Sequence, residues 1–218
     1  MSEVYGKMSE ALIAGNIEEE KKLTQQALDA GSEAGEILNK GLLPGMDIVG
    51  QRFKAAEMFI PEVLRSAKTM GAAMEIIRPL LSDTDAAGSG TVVIGTMEGD
   101  LHDIGKNLVG MMLEGAGFTI VDLGTSVEPQ KFVDAAKEHK PKIVGMSALL
   151  TTTMPKMGET VNALKEAGIR DQIKIMAGGA PVTQDFVDEI GADAYGSNAT
   201  AAVEKAKAFV EKLQSGGV

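Results

Sequence analysis

The sequence contains no cysteine and no tryptophan, and only two histidines, His102 and His139. Without cysteine, the chain forms no disulfide, no thiolate nucleophile and no zinc or iron–sulfur site with cysteine ligands. His139 lies between Glu138 and Lys140 near the end of a predicted helix, where we expect it on the surface. His102 is therefore the candidate metal-binding histidine.

Positive charge and long apolar runs are also scarce. The formal net charge is −10, which argues against nucleic acid or an anionic membrane surface as a partner. No segment approaches the ~20 apolar residues needed to cross a bilayer. The first residues lack the basic and apolar stretches of a signal peptide. We therefore expect a cytoplasmic protein that binds neither nucleic acid nor membrane.

The N-terminal part, residues 1–83, shows helical periodicity and no strand pattern. Acidic residues open a predicted helix from Ile17 to Ala30, and Pro61 fits the first turn of a last, long helix. Between them, residues 42–46 are expected to interrupt the helices. Amphipathic helices without strands pack as a small bundle. Residues 84–90, which are small, polar and rich in glycine, predict a linker.

From residue 91 to residue 218, short apolar runs alternate with amphipathic helical segments. Nearly continuous apolar strands with crossover helices indicate a parallel sheet covered on both faces. We predict a flavodoxin-like, Rossmann-type α/β domain whose five strands have the order 2-1-3-4-5, with a ligand crevice after strands 1 and 3. The predicted strands are 91–96, 118–123, 142–147, 173–177 and 192–195, and the predicted helices are 104–116, 129–139, 153–168, 183–190 and 198–213.

The loop after the first predicted strand carries the residues with the most chemistry. His102 can bind a metal through one ring nitrogen while Asp100 holds the other. One histidine does not make an ordinary zinc site, so a metal here must bring most of its own ligands. Alternatively, Asp100 or Asp103 caps the next helix and His102 is an ordinary loop residue. Gly105 permits either the close approach of a bulky group or a tightly packed helix start.

Two further strand ends face the same predicted crevice. Residues 147–153 include Ser147 and three threonines, whose hydroxyls can hydrogen-bond a buried polar group or cap the next helix. Gly178 and Gly179 let a ligand lie against bare backbone, although a tight turn also explains the pair. Together the three loops predict a long ligand that penetrates the domain.

These residues resemble the motifs of a known family. Asp100–Gly105 matches the DxHxxG motif of cobalamin-binding domains, Ser147-Ala148-Leu149 matches their SxL motif, and Gly178-Gly179 matches their GG motif, in the same order and spacing. The helical part is similar to the cap module of cobalamin-dependent methionine synthase. The whole chain resembles the small corrinoid proteins of methyltransferase systems.

The resemblance implies a ligand set for a cobalamin. His102 would replace the dimethylbenzimidazole of the cofactor as the lower cobalt ligand, and the displaced nucleotide tail would run into the domain. Asp100 would hydrogen-bond His102, and Thr153 would complete a ligand triad. The other implied contacts are Leu101, Asp103, Ile104, Gly105, Ser147, Leu149, Thr151, Gly178, Gly179, Tyr195 and Gly196, with Phe53 and Ile60 of the cap over the methyl-bearing face.

The function implied by the resemblance is that of a methyl carrier rather than of a free-standing enzyme. The cobalt of a cobalamin or related corrinoid would accept a methyl group from a substrate-specific methyltransferase of the methanol, methylamine, betaine or methoxyarene type. The resulting methylcobalamin form would pass the methyl group to a second methyltransferase that acts on tetrahydrofolate or a similar acceptor. A reductive activase is a further expected partner.

Three other classes share parts of this pattern. A cobalamin-binding sensor or light receptor has the cap and the DxHxxG loop, but is usually fused to an output region, which we do not expect after the last predicted helix. An adenosylcobalamin-binding mutase subunit would not need the helical cap. A receiver domain without corrinoid needs a phosphoacceptor aspartate at the end of strand 3, where this sequence has Ser147.

Overall fold

The computed structural model describes residues 2–81 and 90–214. Within them the chain forms two compact units: residues 2–81 with 114–117, and residues 90–113 with 118–214. The predicted linker, residues 84–90, lies outside the described residues except for Gly90. None of the described helices is long and apolar enough to cross a membrane.

The first unit is built from helices, as predicted. Helix α1 packs against α2 and α4, and α2 packs against α5. Their shared interior is apolar and fully buried at positions such as Met8, Leu12, Val49 and Val63. The helices are α1 (Ser2–Ala14), α2 (Ile17–Asp29), α3 (Ala34–Glu36), α4 (Leu43–Lys54) and α5 (Ile60–Ile77), with a π-helical segment (Ile37–Leu42) between α3 and α4 and a 3₁₀ turn (Arg78–Leu80) after α5.

The predicted interruption at residues 42–46 is wrong. The chain stays helical there because a wider π-helical turn, in which the Leu43 N–H donates to the Leu38 carbonyl, precedes Pro44. Pro44 then lies in the first turn of α4, where the fixed φ of proline is compatible with the helix. A pattern analysis that assumes 3.6 residues per turn does not anticipate this wider turn.

Glu20 of α2 is a carboxyl group buried inside the helical unit. The residue is 0% exposed, Oε1 lies 3.5 Å from Thr24 Oγ1, and Oε2 has no hydrogen-bond partner among the described residues. Burial raises the pKa of Glu20 to about 8, and the contact with Thr24 only partly opposes this. The folded protein therefore carries Glu20 mostly as the neutral acid at pH 7.

We expect Glu20→Gln to remove a pH dependence of stability. Because the folded-state pKa lies above the ordinary value of 4.5, the free energy of unfolding of the wild type falls as pH rises from 4.5 to about 8. Glutamine has the same shape and no charge, so the variant should be more stable by about 2–3 kcal/mol near the upper end of this window. Urea unfolding at a series of pH values measures the difference.

Glu18→Gln is the matched control for that experiment, because Glu18 is exposed on the same helix. This variant should keep the pH dependence of the wild type. Parallel stability curves for the wild type and Glu20→Gln would contradict a raised pKa at Glu20.

The second unit contains a five-stranded parallel sheet with helices between successive strands. Its order, β2-β1-β3-β4-β5, confirms the predicted doubly wound, flavodoxin-like fold. The strands are β1 (Thr91–Thr96), β2 (Thr119–Asp122), β3 (Ile143–Ser147), β4 (Lys174–Gly178) and β5 (Ala194–Gly196), and the helices are α6 (Ile104–Gly115), α7 (Pro129–His139), α8 (Pro155–Glu166), α9 (Gln184–Glu189) and α10 (Ala199–Gln214), with a 3₁₀ turn (Arg170–Gln172) before β4.

The carboxyl ends of four strands are in register. Thr96 of β1 lies opposite Ser147 of β3, Ser147 lies opposite Gly178 of β4, and Gly178 lies opposite Gly196 of β5. The loops after β1, β3 and β4 therefore leave the sheet side by side. This is the edge at which doubly wound sheets bind their ligands.

Candidate functional site

The Asp100 carboxylate connects the loop after β1 to the loop after β3. The residue is fully buried, and all its side-chain partners lie in loops. Oδ1 accepts the His102 backbone N–H at 3.0 Å and lies 2.7 Å from His102 Nδ1. Oδ2 accepts the N–H groups of Leu149 at 2.7 Å and Leu150 at 3.2 Å, and lies 3.1 Å from Thr153 Oγ1. Asp100 thus joins two loops. Of the two capping candidates, Asp103 is the residue that directly precedes α6.

These contacts keep Asp100 ionised despite its burial. Burial alone would raise the pKa of the Asp100 carboxyl. Hydrogen bonds from the backbone N–H groups of His102 and Leu149, from the His102 ring and from the Leu150 N–H outweigh burial and hold the pKa well below its usual range. An ionised carboxylate beside Nδ1 favours the tautomer with the proton on Nδ1 and makes Nε2 a more basic ligand.

His102 presents one ring nitrogen to solvent or to a ligand. Its side chain is 54% exposed, and because Nδ1 is engaged by Asp100, Nε2 is the nitrogen available to a metal. Among the described residues, no group of three or more acidic or histidine side chains could hold a metal ion. A metal bound by His102 must therefore bring its other ligands, as cobalt in a corrin ring does. The donor set fits such a group.

The backbone around Asp100 and His102 is held by residues that the sequence analysis did not single out. Ser126, in the loop after β2, donates its N–H to the Asp100 carbonyl at 2.9 Å and accepts the Gly99 N–H on its hydroxyl at 3.0 Å. Ser126 has a φ of 51°, an unfavourable value for a side-chain-bearing residue. The buried Thr96 hydroxyl donates to the His102 carbonyl at 3.2 Å. No motif or periodicity marks these contacts, which exist only once the loops meet.

Large apolar side chains are exposed on the two loops that meet at Asp100. Leu101 is 73% exposed and Ile104 86%, and Leu149 and Leu150 are 43% and 39% exposed. Leaving such side chains in water is unfavourable, so clusters of them usually mark a ligand or partner surface. Their position beside His102 suits the flat apolar faces of a macrocycle.

Gly105 leaves open space at the start of α6. A Cβ atom built on Gly105 meets no described atom within 4 Å. The second explanation for this glycine, a tightly packed helix start, therefore has no support. Glycine inside a helix costs about 0.5–1 kcal/mol relative to alanine. The close approach of a bulky ligand to Gly105 stays a prediction.

Gly178 and Gly179 are required by the chain itself. A Cβ atom on Gly179, whose φ is 130°, would lie 1.9 Å from the Ala148 carbonyl oxygen, and one on Gly178 would lie 2.7 Å from that of Gly196. The Ala148 N–H donates to the Gly178 carbonyl at 3.1 Å. The close approach of Ala148 explains Gly179, and that of Gly196 in β5 explains Gly178. Contact of either glycine with a ligand tail stays a prediction.

Thr153 is the one threonine of the loop after β3 that joins the cluster. It is 6% exposed, and its hydroxyl lies within hydrogen-bonding distance of both Asp100 Oδ2 and the Leu150 carbonyl. Thr151 is exposed, and Ser147 is half-buried at the end of β3. The structure therefore places Ser147 and Thr151 beside the cluster rather than within its hydrogen bonds.

The remaining predicted ligand contacts lie outside the hydrogen bonds that join Asp100, His102 and Thr153. Asp103 accepts a hydrogen bond from the Asn107 side chain at 3.0 Å. Tyr195 is half-buried against the core beneath the sheet end, next to Gly196. In the helical unit, Phe53 of α4 is half-buried and Ile60 at the start of α5 is 49% exposed. Their predicted place over the methyl-bearing face stays a prediction.

The fold and this loop arrangement define a doubly wound domain that offers a single histidine ligand at its ligand-binding edge. Comparison with family models identifies the ligand class: residues 90–204 match the model described as B12 binding domain, and residues 4–78 match a second model with that description. The chain belongs to the B12-binding family and is a corrinoid protein of the methyltransferase type. The predicted family and corrinoid cofactor are thereby confirmed.

Similar proteins cover nearly the whole chain. Trimethylamine corrinoid protein 1 of Methanosarcina acetivorans is 47% identical over 210 residues, which are 95% of this chain and 97% of the relative. Monomethylamine corrinoid protein 1 of the same organism is 43% identical over 94% of this chain and 96% of its own. One chain in the structure of the methanol:cobalamin methyltransferase complex of Methanosarcina barkeri matches with a TM-score of 0.87 and 32% identity. The match covers 96% of this chain and 80% of the matched chain.

Proposed function

We propose that this chain carries a methyl group from a methylamine-specific methyltransferase to a second, acceptor methyltransferase. The observation that carries the proposal is the pair of His102, with Nε2 available, and the buried Asp100 that orients it. The similarity to trimethylamine and monomethylamine corrinoid proteins supports a methylated amine as the methyl donor.

The residues around the pair are suited to hold a corrinoid. His102 Nε2 would bind the metal, and the exposed side chains of Leu101, Ile104 and Leu149 would contact the macrocycle. The cofactor tail would pass along the sheet edge near Ser147 and Gly178. When bound, the corrinoid supplies a cobalt that can accept a methyl group and donate it again.

The chain's own contribution to the chemistry is control of one proton. Asp100 keeps the proton of the His102 ring on Nδ1, so that Nε2 has a lone pair for the metal. A metal can bind Nε2 only when that nitrogen carries no proton. The buried, multiply hydrogen-bonded Asp100 carboxylate limits the movement of the His102 ring.

Labelled-methyl transfer tests the proposed function. The purified chain is loaded with hydroxocobalamin, reduced, and mixed with labelled trimethylamine, monomethylamine or methanol and the corresponding methyltransferase. We expect label on the chain with an amine and its methyltransferase, and none when the corrinoid has been stripped from the chain. Adding an acceptor methyltransferase should then remove the label.

The outcomes separate the competing functions. Label from methanol alone would replace the methylamine assignment. A chain that binds the corrinoid but takes up no label from any of the three donors would contradict the carrier function and favour the sensor alternative.

A further inference from the structure

Lys106 is a buried lysine in the first turn of α6, four residues after His102 in the sequence. Its side chain is 1% exposed. Burying an ammonium group is costly unless it is paired and hydrogen-bonded. The positive end of the helix dipole disfavours a cation in the first turn as well. Both effects oppose a lysine at this position, so its contacts must compensate for them.

The contacts of Lys106 run from the end of β2 to the residue after His102. Nζ donates to Asp122 Oδ2 at 2.5 Å and to Asn107 Oδ1 at 2.7 Å. The Asn107 amide in turn donates to Asp103 Oδ2 at 3.0 Å. Asp122 ends β2, and its other oxygen accepts the Gly124 N–H at 2.8 Å. Hydrogen bonds therefore connect β2 through Lys106 to Asp103.

His102 lies between two anchored carboxylates. Asp100, on one side, is attached to the loop after β3 through Leu149 and Leu150. Asp103, on the other side, is attached to the end of β2 through Asn107 and Lys106. One attachment leads to β3 and the other to β2, which are the two strands that flank β1 in the sheet. A loop held at both ends has little freedom to move the residue in its middle.

We propose that Lys106, paired with Asp122, is a positioning residue for His102 that holds the β2 side of the histidine loop in place. The attachment itself is independent of any ligand. Its consequence for the corrinoid rests on the function proposed above, because it matters for the metal only if His102 binds that metal. Lys106 touches neither His102 nor a ligand in this role.

The test in the chain without corrinoid uses amide hydrogen exchange. Lys106→Met keeps the length of the side chain and removes the ammonium, and Asp122→Asn removes the charge of its partner. We expect the His102 N–H, which donates to Asp100, to exchange about ten-fold faster in both variants. Lys131→Met, at an exposed lysine of α7, is the matched control and should exchange like the wild type.

The test in the loaded chain uses the pH at which the histidine leaves the cobalt, followed in the visible spectrum. A loosened His102 competes less well for the metal against protons, so the midpoint should rise by about one pH unit in both variants. The double variant should resemble either single variant, because both substitutions break the same attachment. A merely structural role would lower thermal stability and leave this midpoint in place.

An unchanged exchange rate of the His102 N–H in Lys106→Met and Asp122→Asn overturns the proposal. An unchanged pH midpoint of the visible spectrum in these variants overturns it as well. Should Lys106→Met fail to fold, Asp122→Asn decides alone, because the Asp122 side chain is already 43% exposed. Failure of the function itself would show differently: the spectrum would not depend on His102, whereas the exchange measurement would still test the attachment.

Discussion

Alanine in place of His102 should remove the histidine-ligated cobalt spectrum and reduce methyl transfer by about 100-fold. His102 Nε2 is the ring nitrogen that Asp100 leaves available to a metal, and alanine has no donor to replace it. The free energy of unfolding should change little, because the side chain is 54% exposed and Asp100 keeps its contacts with Leu149, Leu150 and Thr153.

Two controls make this result specific. His139→Ala removes the other histidine, an exposed residue at the end of α7, and should leave spectrum and transfer unchanged. Added imidazole should restore the nitrogen-ligated spectrum of His102→Ala, because the substitution leaves room for a free ring next to Asp100. A His102→Ala protein with the spectrum of the wild type would rule out His102 as the ligand.

Alanine in place of Gly105 should separate corrinoid binding from folding. A Cβ atom at this position meets no described atom, and alanine favours the helix, so the chain without corrinoid should be more stable by about 0.5–1 kcal/mol. The same methyl group would occupy space that we assign to the ligand, and corrinoid affinity should fall by more than about ten-fold. Thermal unfolding and titration with hydroxocobalamin measure the two effects.

Gly110→Ala is the matched control on the same helix. Its Cβ atom would make only an ordinary contact, 3.9 Å from the Ile120 side chain, so corrinoid affinity should not change. If Gly105→Ala bound the corrinoid as tightly as the wild type, the ligand would not approach the start of α6.

Much of the α/β unit could be predicted from local pattern. The buried strands of a parallel sheet are nearly all apolar, and β1 and α7 begin and end where the periodicity placed them. The strand order follows from the general rule for alternating strands and helices. The helical segment around Pro44 could not be predicted in this way, because its π-helical turn departs from the regular period.

The candidate site was predictable in its residues but not in its geometry. The motif around His102 named a candidate metal ligand and the carboxylate that contacts it, yet the same residues also allowed a helix cap. Only the folded chain brings the Leu149 and Leu150 N–H groups to Asp100, because these residues are far apart in the sequence. Ser126 and Lys106 were missed for the same reason, since their contacts span different strand ends.

The sequence by itself determined the chemistry that this protein can offer: no thiolate, one histidine in a polar loop at a strand end, and a family pattern for binding a corrinoid. The tertiary structure decided the state of those groups. It buried Asp100 among donors, which keeps it ionised, and it buried Glu20 without a full set of partners, which keeps it neutral. It also assigned Gly179 to the chain's own packing and left Gly105 facing open space. Charge state and free space depend on which groups surround a residue in three dimensions, and local sequence does not specify those neighbours.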